Sequence, residues 1–391
     1  MKKIILTVMV CVFFRPVFPL IPYFHGARSL ALGYSSLAFN YDFNAVFLNP
    51  ALLHSFSWPL GGFQYESSSL DYFDFSGQLQ RISAFDLENF QDLGLAQKTD
   101  LLEDLRNVFS TRTGITGFKT ISSGYAGKGY GVAVEFVDAA VIFPVASDIL
   151  AKPVEQVTNA DIAALQMRFL GFHYKDYAVA YSFSLGQGLA MGATVHFLKG
   201  RTSESDVAVI DAPFQPASGA KEYLEYAWSD VQKDFSKINF DLGLCADLGP
   251  YFKAGLLVRN VAEPVIGTEL RDLRLPRRVI AGMTFRPSPQ WGISLDIDLA
   301  KNDLFHNGQE IQPLSLGLEK GFFNNRFFMR AGLLNDLGEK YFLGRNAKLI
   351  YGFGLGFNLA SFLVDVAISL DGQGHLKNLG ISGFYMIQKK N

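Results

Sequence analysis

From Tyr351 to Leu359 the chain alternates strictly, with Tyr351, Phe353, Leu355, Phe357 and Leu359 on one face and Gly352, Gly354, Gly356 and Asn358 on the other. A period of two residues marks a β-strand with one apolar side. The rhythm returns in Tyr177, Val179, Tyr181, Phe183 and Leu185 against Ala178, Ala180, Ser182 and Ser184. It returns again in Trp291, Ile293, Leu295, Ile297 and Leu299 against Gly292, Ser294, Asp296 and Asp298. Each run is long enough to cross a bilayer at a tilt. Along the whole chain the pattern predicts strands near 60–67, 114–123, 129–138, 168–185, 189–199, 237–248, 251–260, 276–286, 290–299, 311–320, 326–335, 348–358, 361–370 and 377–388. These number roughly fourteen, an even count of the kind found in single-chain bacterial barrels.

The connections between these strands alternate in length. Tight turns fall at 124–128, 186–188, 249–250, 287–289, 321–325 and near Ala360, and longer links at 68–113, 139–167, 200–236, 261–275, 300–310, 336–347 and 371–376. In an up-and-down barrel every second connection lies on the same rim, so one rim is trimmed and the other elaborated. Short periplasmic turns and long external links are the outer-membrane arrangement, which places both termini in the periplasm. Three long links carry helical spacing. Leu101, Leu102, Leu105 and Val108 predict a helix over Thr99–Phe109; Leu224, Trp228, Val231 and Phe235 predict one over 221–235; and 154–165 is the third. Such helices either cap the barrel mouth or gather a partner or ligand.

Alternation alone also fits a β-sandwich. The polar face decides for a barrel: it is built from Gly, Ala, Ser, Asn and Asp, as in Asn239, Asp241 and Gly243, and small residues suit a crowded concave interior. Aromatics near strand ends, among them Trp291, Tyr251, Phe252, Tyr351 and Tyr385, suit interfacial girdles. The expected fold is therefore all-β: a roughly 14-stranded antiparallel transmembrane β-barrel, apolar side out, with partly helical long loops.

Composition sharpens this. The 391 residues are 49% hydrophobic and 14% aromatic, with 36 Phe and 37 Gly, but only 18% charged. About 25% charged residues is usual in soluble domains. No stretch past the N-terminus reaches the roughly 18 apolar residues of a membrane helix, so residence in a bilayer requires closed β-structure. A net charge of −2 without a Lys/Arg block argues against nucleic acid as a partner. Lys2, Lys3, an apolar run over 4–14 and Arg15 predict an export signal within 1–25, the alternative being an N-terminal strand or buried segment. No Ala-x-Ala site follows, and Val8, Met9 and Val10 ahead of Cys11 lack the small residue of a lipid-modified cysteine. Cys245 is then the single mature cysteine, which leaves no internal disulfide.

Catalytic and cofactor chemistry is not visible. His25, His54, His173, His196, His306 and His375 are scattered, with no pair at metal-ligand spacing, and no Ser-His set or phosphate loop stands out. Asp296 and Asp298 share a strand face, which suits a bound cation, an acid/base pair or a lumen wall paired with Arg or Lys. The expectation is a protein that is not an enzyme and uses no cofactor or metal.

One segment carries a family resemblance. Gly26-Ala27-Arg28-Ser29-Leu30-Ala31-Leu32-Gly33 leads through Asp42, Asn44, Ala45 and Val46 to Asn49-Pro50-Ala51-Leu52. It resembles the N-terminal stretch of FadL-type long-chain fatty-acid transporter barrels and their PorV-like and TraF-like relatives. Val258-Arg259-Asn260, Gly282-Met283-Thr284-Phe285-Arg286-Pro287, Leu316-Gly317-Leu318-Glu319 and Met329-Arg330-Ala331-Gly332 also resemble those relatives.

The resemblance implies a hatch over 26–58 folded into the lumen of a barrel over 59–391, in the bacterial outer membrane and its lipids. It implies capture of hydrophobic small molecules such as long-chain fatty acids from outside and their sideways release. PorV-like relatives imply an alternative, a non-transporting accessory barrel that docks or escorts a secreted protein partner. Within the hatch, Gly26 and Gly33 would permit tight turns on either side of the Ala27 to Leu32 stretch, and Asn49-Pro50 would close it. Arg28 would pair with an inward carboxylate such as Asp296, Asp298, Asp241 or Asp365, either as an anchor or as a contact for a ligand carboxylate; Arg330 would also face the lumen. The chain departs from the pattern at its end, where Phe384 and Tyr385 are followed by Met386 to Asn391, and its external links match no fatty-acid pocket.

Overall fold

The computed structural model describes residues 26–386 except 40–41, 58, 73–74, 111–113, 146, 148–150, 211–231, 269, 271, 304–309, 338–348, 360, 373 and 375. The predicted export signal and the 221–231 part of the second predicted helix lie outside these residues.

Fourteen strands close into one antiparallel barrel, each bonded to its neighbours in sequence and the last to the first. They are β1 (Leu60–Tyr72), β2 (Gly114–Gly127), β3 (Tyr130–Pro144), β4 (Gln166–Gly186), β5 (Leu189–Ala208), β6 (Gln232–Asp247), β7 (Phe252–Arg259), β8 (Arg278–Ser288), β9 (Trp291–Asp298), β10 (Pro313–Phe322), β11 (Phe327–Asp336), β12 (Leu349–Leu359), β13 (Phe362–Asp371) and β14 (Leu376–Met386). The closing seam runs from Leu60 opposite Met386 to Ser68 opposite Asn378. Register is held because a slip of one residue would send every apolar side chain inward. Phe63, Ile121, Val132, Tyr177, Val179, Phe197, Phe240, Met283, Leu295, Leu316, Met329, Phe353 and Val366 all stand exposed on the outer face. A continuous apolar belt of this extent is stable against lipid rather than water.

The described residues between Gly26 and Phe56 lie inside the barrel. It forms two short helices, α1 (Ala27–Ala31) and α2 (Ala45–Leu48), and a 3-10 turn over Pro50–Ser55. Phe39, Phe43 and Phe47 are each at most 2% exposed, so the lumen carries a core of its own.

The wall is uneven in height. β4 and β5 run 21 and 20 residues, whereas β7 and β9 run 8 each. Roughly 9–11 residues suffice to cross a bilayer. Strands predicted to end at 67, 138 and 199 therefore continue well beyond the membrane, because their partners continue beside them. On the outer face of this extension sit α3 (Phe75–Ile82), α4 (Leu95–Ser110) and α5 (Asn159–Ala163). Leu79, Ile82, Leu101, Leu105 and Ile162 pack there with Ile142, Phe169 and Val207 of the wall. The helix predicted over 99–109 is α4. The one over 154–165 is a 3-10 turn, Val154–Gln156, followed by α5. The one over 221–235 is overturned at its end, where 232–235 is already strand and Phe235 is buried against Tyr174, ring centroids 6.3 Å apart. Phe235 satisfies helical spacing and strand alternation equally, and pairing with β5 decides between them.

Thr158 and Asp161 form a capping box at the start of α5. Asp161 also accepts from Lys152 Nζ at 2.8 Å; this bond first, and the Thr158 amide next, hold its carboxyl below the ordinary aspartate range. A folded-state value that is lowered stabilises the cap at pH above about 4 and is lost as pH falls through it. The protection factors of the α5 amides are expected to fall in the wild type as pH drops below about 4 and to be already low and independent of pH in D161N.

Candidate functional site

The inner face of the short wall carries a belt of small residues around the barrel. Ser294 lies opposite Gly317, Gly317 opposite Gly332, Gly332 opposite Gly352 and Gly352 opposite Ser369. The end of α1 is seated on this belt. A Cβ at Gly332 would strike the backbone of Leu32 and Gly33, and one at Gly352 the carbonyl of Leu30. Gly33 adopts φ 62°, which lets the chain turn at the wall, and a Cβ there would enter the Leu333 backbone. Farther round, Gly192 and Gly243 receive Pro50, Ala51 and Asn49, and Gly292 receives the Phe39 ring. The glycines that alternate with apolar residues in the sequence are thus the footprint of a second piece of chain.

Polar contacts hold that piece. The amide of Ala27 donates to Ser382 Oγ at 2.9 Å. The amides of Ser36 and Leu37 both donate to Asp296 Oδ2, at 2.7 and 2.8 Å. Asn49 accepts from the Ala51 amide and donates to the carbonyls of Leu37 and Leu244, each at 3.1 Å, so one side chain closes the turn and ties it to β6. Asp42 accepts from the Asn44 amide at 2.8 Å, an Asx turn leading into α2. Gly26 has φ 98° just ahead of Ala27.

Charges continue the tie. Arg28 Nη2 donates to Glu319 Oε1 at 2.9 Å, Arg330 Nε donates to Glu319 Oε2 at 2.7 Å, and Arg330 Nη1 donates to Asp365 Oδ1 at 2.6 Å. Arg28 is thus paired with Glu319, a carboxylate outside the expected set of Asp296, Asp298, Asp241 and Asp365. Each of those four already has another duty. Asp296 takes two amides, Asp298 takes Arg278 at 2.6 and 2.9 Å, and Asp365 takes Arg330. Asp241 takes the Asn260 amide at 2.8 Å and lies 3.4 Å from both His196 Nε2 and Arg259 Nε. Asp296 and Asp298 therefore form no joint centre. Among the described residues no group of three or more His, Cys, Asp or Glu is placed to hold a metal ion.

A second charged cluster escaped sequence reasoning. His196 Nδ1 donates to Asp176 Oδ2 at 2.8 Å, Glu135 lies across the strand pair from Asp176, and Arg259 donates to the Phe47 carbonyl. The signal was present, since Asp176 and His196 occupy inward positions of β4 and β5. Scattered histidines become neighbours only once register is known.

Between the luminal chain and the wall, toward the long links, lies a cavity of about 60 Å³. Leu37, Leu48, Leu257, Ile280 and Leu334 line it, with Tyr34, Arg259, Arg278, Asp296 and Asp298 at its edges. Pockets that enclose drug-sized molecules begin near roughly 300 Å³. The cavity has room for only a few atoms beside the luminal chain.

Residues 46–298 match the model of the family described as F plasmid transfer operon, TraF, protein. No curated protein sequence matches the chain. The solved structures that share its fold include three from different proteins. The Ralstonia pickettii toluene transporter TbuX has a TM-score of 0.55 at 12% identity, covering 93% of this chain and 98% of that one. The Pseudomonas putida toluene transporter TodX has 0.53 at 13%, covering 94% and 99%. A Pseudomonas aeruginosa FadL homologue has 0.51 at 14%, covering 94% and 99%.

Proposed function

The chain belongs to the family of the F plasmid transfer operon TraF protein, and on that premise we propose that it is an outer-membrane channel for hydrophobic small molecules, long-chain fatty acids among them, with the segment from Gly26 to Phe56 as its hatch. The observation that carries the reading is a lumen stopped by a separate piece of chain, with an apolar cavity on its long-link side. An apolar molecule gathered among the long links would enter beside Leu37 and Leu48. Further passage would pull Ser36 and Leu37 from Asp296, which acts as a latch. The folds of toluene transporters and of a FadL homologue support the same substrate class.

The test is uptake of labelled fatty acid and of toluene by proteoliposomes carrying the full chain, the D296A variant, or a chain lacking 26–53. Hydrogen bonds to a charged group contribute about 1.5–3 kcal/mol. D296A, which strands two amides, is expected to raise uptake roughly tenfold, and deletion is expected to abolish its selectivity. Uptake no faster than through protein-free vesicles would end the transport reading.

A second reading, an accessory barrel that docks a secreted protein, has one observation in its favour: the external helices form a packed body with its own core. Under it, a secreted protein co-purifies with the full chain and is lost when 75–110 is excised, while fatty-acid uptake never rises above background.

A further inference from the structure

The outer surface of the tall wall changes character within two rows of side chains. One row reads Ser123, Val134, Tyr177, Phe197 and Ile238 across β2–β6, and belongs to the lipid-facing belt. The next, toward the long links, reads Ile121, Phe136, Lys175, Lys199 and Ser236, and the one after reads Lys119, Asp138, His173, Arg201 and Asp234. Beyond these the same face is covered by the helical cap, which packs on Ala140, Ile142 and Phe169. The basic residues therefore occupy a ledge between lipid and cap.

Lys175 stands directly opposite Lys199, and His173 directly opposite Arg201, a square of basic side chains on two adjacent strands. Like charges in directly opposed positions destabilise a sheet unless something negative lies between them. Arg201 has Asp234 at 2.9 Å and His173 has Asp138. Among the described residues neither lysine is paired with a carboxylate; Lys175 Nζ lies 5.2 Å from the centre of the Phe136 ring, and Lys119 Nζ lies 5.8 Å from that of Tyr65.

We propose that Lys175 and Lys199, flanked by Lys119 and Arg201, bind the phosphate of a phosphorylated glycolipid in the leaflet on the long-link side. The lipid source, rather than free phosphate, follows from the exposed apolar side chains beside and beneath the lysines, where Phe136, Tyr177 and Phe197 offer a surface for acyl chains. The inference rests on the outer-membrane setting of the proposed function, not on transport.

Native mass spectrometry of the full chain in detergent, titrated with lipid A, with the same lipid dephosphorylated, and with inorganic phosphate, tests it. The wild type is expected to bind one lipid A. K175Q/K199Q is expected to bind it roughly thirtyfold more weakly, since each lysine at an anionic membrane surface contributes a factor of about five. K253Q/K320Q, which removes equal charge near the tight-turn rim, is expected to bind like the wild type, and heat-modified gel mobility reports that each barrel is folded. Equal affinity of the wild type and K175Q/K199Q, equal binding of the dephosphorylated lipid, or saturation by inorganic phosphate alone would each overturn the proposal. If lipid binding fails while hatch-dependent uptake persists, only this inference falls; if uptake fails while lipid A binds, only transport does.

Discussion

Replacing Gly332 by valine is expected to lift the luminal segment, the proposed hatch, from its seat while leaving the barrel closed. Gly332 lies in the middle of the belt from Ser294 to Ser369, and the atoms its Cβ would meet belong to the backbone of Leu32 and Gly33. Backbone cannot yield as a flexible side-chain end does. Gly33 cannot move aside, because its own Cα faces the Leu333 backbone. Overpacking a tight contact costs about 1–3 kcal/mol for added methylenes. At the upper end the ratio of seated to unseated hatch falls about a hundredfold. The strand itself gains, since valine suits a pleated surface better than glycine does. Planar-bilayer recordings should therefore go from a quiet wild type to long open events in G332V, with gel mobility unchanged. G186V, at a turn glycine where an added Cβ would meet no atom within 4 Å, is the control and should stay quiet. A quiet G332V would mean that the luminal segment is not the proposed hatch.

The fourteen strands could be read from the sequence because a membrane wall imposes one rule, alternation, on every residue that crosses it. Beyond the membrane that rule lapses. The outer ends of β3 and β5 run on through Ala139, Ala140, Val141 and Ile142 and through Thr202 to Asp206, where apolar residues cover both faces of the sheet or polar ones do. Alternation fades there, and so did the predicted boundaries. α3 was missed for a related reason: its 8 residues amount to little more than two turns, and it is held by burial of Leu79 and Ile82 in the cap core rather than by its own propensity. In the lumen, Glu319 occupies an inward position between Leu318 and Lys320, one that alternation along β10 marks. Its pairing with Arg28 carries no such mark, because the height at which a luminal chain meets the wall depends on where α1 finds glycines to rest on. Those glycines lie on three strands joined only by register.

Removing Arg330 is expected to be the most damaging single change in the lumen. Its side chain is 1% exposed and is shared between Glu319 and Asp365, themselves 3% and 1% exposed. Breaking a buried ion pair from one side costs about 3–5 kcal/mol, mostly through the charge left behind. R330M withdraws the partner of two carboxylates and strands one of them. Glu319 keeps Arg28, at 2.9 Å, while Asp365 loses the one basic side chain with which it forms an ion pair among the described residues. R28M is the milder lesion, because Glu319 retains Arg330 and only one end of the hatch is untied; a loss of about 1.5–3 kcal/mol is expected. The ranking separates a network from a set of independent contacts. Urea unfolding of the folded chain in detergent should place R330M below R28M, and R330M/D365L should recover much of the loss by withdrawing the stranded carboxylate. If R330M proves no worse than R28M, or if D365L restores nothing, the lumen tolerates bare charge through water, and the chain from Arg28 through Glu319 and Arg330 to Asp365 does not anchor the hatch.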